Sequence, residues 1–111
     1  MWQGGIKLVK EIYSVCREGR LSKDFGLRDQ LCRSAVSIPT NIAEGFERSS
    51  RKEYLQFLNI AKGSAGEVRS LLRVAFEIGY FDEPTYKTLS LSVTVLSKSL
   101  AKQIAAIKGT L

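Results

Sequence analysis

The residue types that most often perform enzymatic chemistry are scarce in this chain. It has no histidine, which removes the commonest general base and the commonest protein ligand of metals. Its two cysteines, Cys16 and Cys32, are too few for a four-ligand zinc site and lack the paired histidine of a cysteine nucleophile. Both lie on apolar or small-residue faces of predicted helices, which favours buried structural thiols without a disulfide. We therefore expect no catalytic residue, no metal site, no cofactor and no enzymatic activity.

A second candidate for a functional site is a pair of polar residues beside an apolar stripe. Asn41 and Glu44 lie one turn apart on a predicted helix, next to its apolar face. Polar groups near a core must be hydrogen-bonded, so we expect partners for both on a neighbouring helix or subunit. Glu67 on the following helix is a candidate member of the same network. No feature supplies a base with a shifted pKa, so structural locking is favoured over ligand contact and over catalysis.

Two glycines lie within the third predicted helix. Gly63 and Gly66 match neither a dinucleotide-binding nor a nucleoside-triphosphate fingerprint. Glycine weakens a helix interior, and the benefit expected here is the close approach of a neighbouring helix.

Positive charge is the clearest functional signal. The chain has 17 basic and 11 acidic residues, a net charge of +6 and a pI near 9.6, which favours polyanionic partners such as nucleic acid. The alternative is a solubilising surface. At about 100° per residue, basic residues form one row on the third predicted helix and one on the fourth. The first row is Arg51, Lys62, Arg69 and Arg73, and the second is Lys87, Lys98, Lys102 and Lys108.

These rows suit a phosphate backbone better than base edges. Glu67 and Glu77 are expected to lie off the first row. No aromatic residue falls within either row, so base stacking has little support. Leu91 and Val95 point toward the same side as the second row, which hints at a contact between subunits.

The elements that must position these groups are helices. Apolar residues recur at spacings of three and four along the chain, and no useful alternating strand pattern occurs. The predicted helices cover about 6–18, 27–47, 50–78 and 82–108, with a loop near 20–25. Four amphipathic helices with short connections predict an all-α fold, an antiparallel up-and-down four-helix bundle, with residues 1–111 as a single domain.

The second predicted helix has an unusually wide apolar arc, about half of its circumference. A helix that faces one core needs a narrower stripe. It therefore either lies centrally in the bundle or presents a second face to another subunit. Pro39 lies inside it, and the apolar period stays in phase across the proline, so one continuous but bent helix is expected.

Composition also bears on location. Hydrophobic residues make up 44% and charged residues 25% of the chain, as in average globular proteins. There is no apolar run of about 18 residues and no apolar secretory leader. We expect a cytoplasmic protein without membrane contact.

The chain resembles a known family in two segments. Residues 31–45, LCRSAVSIPTNIAEG, are similar to a signature of the four-helix bundle proteins encoded in 23S ribosomal RNA intervening sequences. Residues 54–64, YLQFLNIAKGS, with Glu67, are similar to the second signature of that family. Trp2 and residues 6–13 resemble its opening helix. The signature positions are Arg33, Ser37, Asn41, Glu44, Gly45, Ser64 and Glu67.

The resemblance implies a bacterial, cytosolic four-helix bundle that assembles as a barrel-like homopentamer and has no known enzymatic activity. It also implies structural roles for the signature positions. A related branch, the accessory variability protein of diversity-generating retroelements, pairs with a reverse transcriptase and binds nucleic acid through basic surface.

Three functions follow as expectations. The leading one is an oligomeric accessory protein that binds RNA or DNA backbone through its basic helix faces. The alternative is a scaffold for a protein partner, such as a polymerase or reverse transcriptase. The third is a selfish-element protein with no essential host role.

Overall fold

The computed structural model describes residues 1–111 and contains four long helices. They are α1 (Trp2–Cys16), α2 (Phe25–Phe46), α3 (Arg51–Ile78) and α4 (Glu83–Lys108). A short 3₁₀ helix, Arg20–Lys23, lies between α1 and α2. The helices form an elongated bundle with extents of 46 × 21 × 19 Å. The predicted four-helix bundle is confirmed.

Side-chain caps define where α2, α3 and α4 begin. The Asp24 carboxylate accepts a hydrogen bond from the Leu27 amide at 3.2 Å. Ser50 and Asp82 cap α3 and α4 in the same way, with distances of 3.1 and 2.8 Å. Each cap satisfies an amide that has no partner within its helix. At the other end of α3, Gly79 adopts a left-handed conformation with φ of 97°, which glycine tolerates without steric cost.

Neighbouring helices in sequence are neighbours in space. α2 packs between α1 and α3, whereas α4 packs on α3 and less extensively on α1. The core includes Ile12, Ile38, Leu72 and Leu100, one from each helix and each 0% exposed. α2 packs on two helices, as α3 does, yet part of its wide apolar arc stays exposed, since Val36 is 38% and Phe46 is 59% exposed. A contact of this second face with another subunit therefore stays a prediction.

Two boundaries differ from the prediction. α1 begins at Trp2 rather than near Ile6, and it ends at Cys16. Gly4 and Gly5 made the first turn a poor helix by propensity, but Gly5 is buried against Pro39 of α2. The predicted loop is partly a 3₁₀ helix, since Leu21, only 1% exposed, anchors it in the core.

Pro39 does not interrupt α2, which is continuous across it as predicted. Two side chains next to the proline bond to carbonyls of the preceding turn. The Thr40 hydroxyl donates to the Val36 carbonyl and the Asn41 amide donates to the Ser37 carbonyl, both at 2.8 Å.

Candidate nucleic-acid interface

The first basic row lies on the flank of α3 that adjoins α4. Arg51, Lys62, Arg69 and Arg73 are all exposed. The guanidinium carbon of Arg73 lies 5.7 Å from the centroid of the Tyr86 ring on α4. Since the four residues share one side of the helix, the row follows the α3–α4 boundary.

Arg73 is not a free cation. Its guanidinium pairs with the Glu77 carboxylate at 2.6 Å, although the sequence had predicted Glu77 to lie off the row. Residues four apart are neighbours on a helix surface. The long side chains of Arg73 and Glu77 span the angle that separates them around the helix axis. Hydrogen bonding to Tyr86 and the charge of Glu77 raise the pKa of Arg73.

The second row lies on the outer surface of α4. Lys87, Lys98, Lys102 and Lys108 are all exposed. Lys87 pairs with Glu83 at 2.9 Å. The pair, through its hydrogen bond and its charge, raises the pKa of Lys87 and lowers that of Glu83.

Pairing therefore divides the predicted cations into two groups. Arg73 and Lys87 have carboxylate partners on their own helices. The other six have no carboxylate within 4.0 Å and present unneutralised charge to solvent. We call this set the free cations: Arg51, Lys62, Arg69, Lys98, Lys102 and Lys108.

Exposed apolar side chains interrupt the α4 row. Leu91 is 65% exposed and Val95 is 55% exposed. A second apolar surface lies between α1 and α2, where Trp2, Ile6 and Val36 line a shallow groove. Neither surface has a partner within the chain.

The signature residues form a polar seam between α2 and α3. Ser34, which is 7% exposed, donates a hydrogen bond to the Glu67 carboxylate at 2.6 Å. The Ser37 and Ser64 hydroxyls are 2.8 Å apart, and the Asn41 amide donates to the Ser37 hydroxyl at 3.0 Å. The seam thus joins the two helices by hydroxyl, amide and carboxylate groups, an arrangement that stabilises packing.

The predicted partners of Asn41 and Glu44 are only partly as expected. Asn41 bonds to Ser37 of its own helix and reaches α3 only through it. Glu44 is exposed and pairs with Arg48, four residues later, at 2.7 Å. Within the chain, Glu44 therefore has no partner on a neighbouring helix, because the nearest base lies one turn along. A partner for Glu44 on another subunit stays a prediction. Arg33 is exposed beside the seam.

The prediction that Gly63 and Gly66 allow a neighbouring helix to approach closely is wrong within the chain. A Cβ added at either residue would meet nothing within 4 Å, because both lie on the exposed side of α3. The glycines that permit close approach are Gly5 and Gly45 instead. A Cβ at Gly5 would lie 3.1 Å from Pro39 of α2, and one at Gly45 would lie 2.7 Å from Tyr54 of α3.

The two cysteines lie together in the structure, which the helical pattern of the sequence did not predict. Cys16 is buried and Cys32 is half-buried, and both line one cavity between α1 and α2. The short connection between two antiparallel helices was the available signal, because it brings the end of α1 beside the start of α2.

Two further predictions concern a metal site and contact with a membrane. No group of three or more cysteine, aspartate or glutamate side chains is arranged to hold a metal ion. None of the helices combines the length and the apolar character needed to cross a bilayer.

Comparison with known proteins gives a family and a fold. A family model described as 23S rRNA-intervening sequence protein matches residues 1–102. No curated protein matches the chain. Among solved structures, similarity is found to a protein of unknown function from the S23 ribosomal protein family of Bacteroides thetaiotaomicron. The TM-score is 0.85 at 25% sequence identity, and the match covers 93% of this chain and 96% of that one. Because the family match extends over most of its residues, this chain belongs to the 23S rRNA-intervening sequence protein family.

Proposed function

We propose that the protein is a non-enzymatic, cytoplasmic accessory protein that binds the phosphate backbone of RNA or DNA through α3 and α4. The observation that carries the proposal is the set of six free cations on two adjacent helices. A cation already paired with a carboxylate gains little from a phosphate, whereas an unpaired one releases a counterion from the nucleic acid.

The geometry favours backbone contact over base recognition. The basic side chains follow the long axis of a rod of 46 Å, and their rows contain no aromatic side chain on which a base would stack. Binding is therefore expected to be largely independent of sequence and to weaken steeply with salt.

We also propose that the chain assembles with copies of itself into a homopentamer. Support comes from the exposed Leu91 and Val95 on α4 and from the apolar groove at Trp2, Ile6 and Val36, since apolar patches of this kind mark association surfaces. The number five is what the family resemblance implies. Assembly would repeat the basic rows around one body, so that weak contacts add through avidity.

A set of four glutamine substitutions tests the nucleic-acid proposal. Lys62, Arg69, Lys98 and Lys102 are changed together to glutamine, and binding to a short DNA duplex and a matched RNA duplex is measured across a salt series. Each lost phosphate contact should lower the slope of log affinity against log salt by about one unit. The affinity at low salt should fall in parallel.

The matched control removes the same charge from other surfaces. Lys7, Lys10, Lys23 and Arg33 are exposed, lie outside α3 and α4 and contain the same three lysines and one arginine. Their change to glutamine should leave most of the binding intact. Equal losses of affinity in the two variants would mean that net charge alone causes the effect. An unchanged affinity in the first variant would reject the basic rows as the binding site.

The competing function is a protein scaffold that uses the same exposed surfaces. It predicts a partner that is retained after nuclease treatment and at high salt. A selfish-element protein without a host role predicts no change in growth or ribosomal RNA processing when the gene is deleted.

A further inference from the structure

Two free thiols from neighbouring helices share one surface cavity. Cys16 is the last residue of α1, and Cys32 lies in the second turn of α2. Both line a cavity of about 390 Å³ that is open to solvent. Its other lining residues are Tyr13, Arg17, Ser22, Arg28 and Asp29.

The two thiols differ in access. Cys16 is 3% exposed, whereas Cys32 is only partly buried. Burial, together with a hydrogen-bonding interaction with the Cys32 thiol, raises the pKa of Cys16 to about 12. A reagent that enters the cavity therefore meets Cys32 first, and Cys16 is the neighbouring thiol within reach of it.

The cavity has a positive lining. Arg28 is held in place because it donates to the Ser22 carbonyl and to the Asp29 carboxylate, both at 3.0 Å. Its guanidinium carbon also lies 4.7 Å from the centroid of the Phe25 ring. Because Arg28 is paired with Asp29 at 3.0 Å, the unpaired positive charge at the cavity is the guanidinium group of Arg17. Partial exposure and nearby positive charge are the conditions under which cysteines react.

We propose that Cys16 and Cys32 form a dithiol site that reduces low-molecular-weight disulfides bearing carboxylates and closes to a disulfide between α1 and α2. The site is separate from the basic rows, and the proposal does not depend on nucleic-acid binding. Neither cysteine is needed to neutralise a phosphate or to build the polar seam.

The reaction consists of two thiol–disulfide exchanges. In the first, the Cys32 sulfur attacks one sulfur of the small disulfide, a mixed disulfide forms, and the departing thiolate takes up the proton that Cys32 lost. In the second, the Cys16 sulfur attacks the Cys32 sulfur, and the second small thiol departs with the proton that Cys16 lost. The two protein thiols are oxidised to one disulfide, and the small disulfide is reduced to two thiols.

Intact-mass spectrometry of the folded chain treated with oxidised glutathione tests the proposal. The wild-type chain should lose the mass of two hydrogen atoms without gaining a glutathionyl group, and dithiothreitol should reverse the change. Non-reducing electrophoresis should show no cross-linked dimer. The Cys16→Ala variant should stop at one glutathionyl group on Cys32, and the Cys32→Ala variant should react at least tenfold more slowly than wild type.

Circular dichroism confirms that each variant is folded before it is compared, and the wild-type mass is decisive without any variant. A wild-type chain that remains reduced, or that keeps a glutathionyl group indefinitely, would overturn the dithiol site. Faster reaction with oxidised glutathione than with the diamine disulfide cystamine supports recognition of carboxylates. Equal rates with the two disulfides would overturn that part of the proposal.

Discussion

Gly45 of α2 lies directly against the ring of Tyr54 of α3. A Cβ added at Gly45 would lie 2.7 Å from the Tyr54 Cδ1 and 3.3 Å from the Phe57 Cβ. The two helices approach this closely just before and just after the connection that joins them. The last residue of the 31–45 signature therefore has a steric reason to be glycine, independent of any ligand.

The first prediction concerns this contact. Gly45→Ala should destabilise the fold by about 1–3 kcal/mol through overpacking, even though alanine favours a helix by about 1 kcal/mol. Denaturant unfolding followed by circular dichroism measures the difference.

Gly63→Ala is the matched control, since the same change meets no atom within 4 Å. It should stabilise the chain by up to about 1 kcal/mol. Two variants of equal stability would contradict the steric explanation of Gly45.

The second prediction concerns the polar seam. Ser37→Ala removes the hydroxyl that contacts both Ser64 and Asn41, and we expect a loss of about 1–2 kcal/mol in unfolding free energy. Ser70→Ala is the control, because Ser70 is exposed on α3 and makes no side-chain hydrogen bond. It should change stability by no more than about 0.5 kcal/mol. If both variants unfold like wild type, the seam contributes nothing to stability.

The third prediction is a dependence of stability on pH. Hydrogen bonds from the Thr85 hydroxyl and amide lower the pKa of the Asp82 carboxyl from its ordinary value of 3.8. A carboxyl with a lowered pKa stabilises the fold above its unfolded pKa, and the contribution disappears as the pH falls through the folded value. The melting temperature of wild type should therefore exceed that of Asp82→Asn at neutral pH, and the gap should close below about pH 3.8.

Glu47→Gln serves as its control, since Glu47 is exposed and makes no side-chain hydrogen bond or ion pair. Its melting temperature should follow that of wild type through the acid range. A gap between wild type and Asp82→Asn that persists at about pH 2 would show that the charge of Asp82 is not the cause.

The fourth prediction distinguishes paired from free cations. Glu77→Gln removes the partner of Arg73 and should raise affinity for a nucleic-acid duplex, with a salt slope steeper by up to about one unit. Glu18→Gln changes net charge equally, but Glu18 lies outside α3 and α4 and pairs with no cation of the two rows, so it should have a smaller effect. An equal gain in both variants would mean that net charge alone governs binding.

The fifth prediction concerns self-association. Leu91→Gln with Val95→Gln replaces two exposed apolar side chains and should lower the molar mass measured by light scattering after size exclusion and nuclease treatment. Thr88→Gln on the same helix should leave the mass unchanged. A wild-type monomer, or a double variant with unaltered mass, would exclude this surface as a subunit contact.

The basic rows were predictable from sequence because helical periodicity alone sets which residues share a face. Which of these cations pair with a carboxylate was not fully predictable. Whether Arg73 is free depends on the rotamers of Arg73 and Glu77 and on the nearby ring of Tyr86, and a linear pattern does not specify these.

The sequence by itself determined that four helices form, because helical periodicity depends on residues three or four apart. Only the tertiary structure decided which glycines are sterically required and that Cys16 meets Cys32. These features depend on contacts between helices. Side chains distant in sequence lie together only after the core has packed, and local propensity carries no information about their separation.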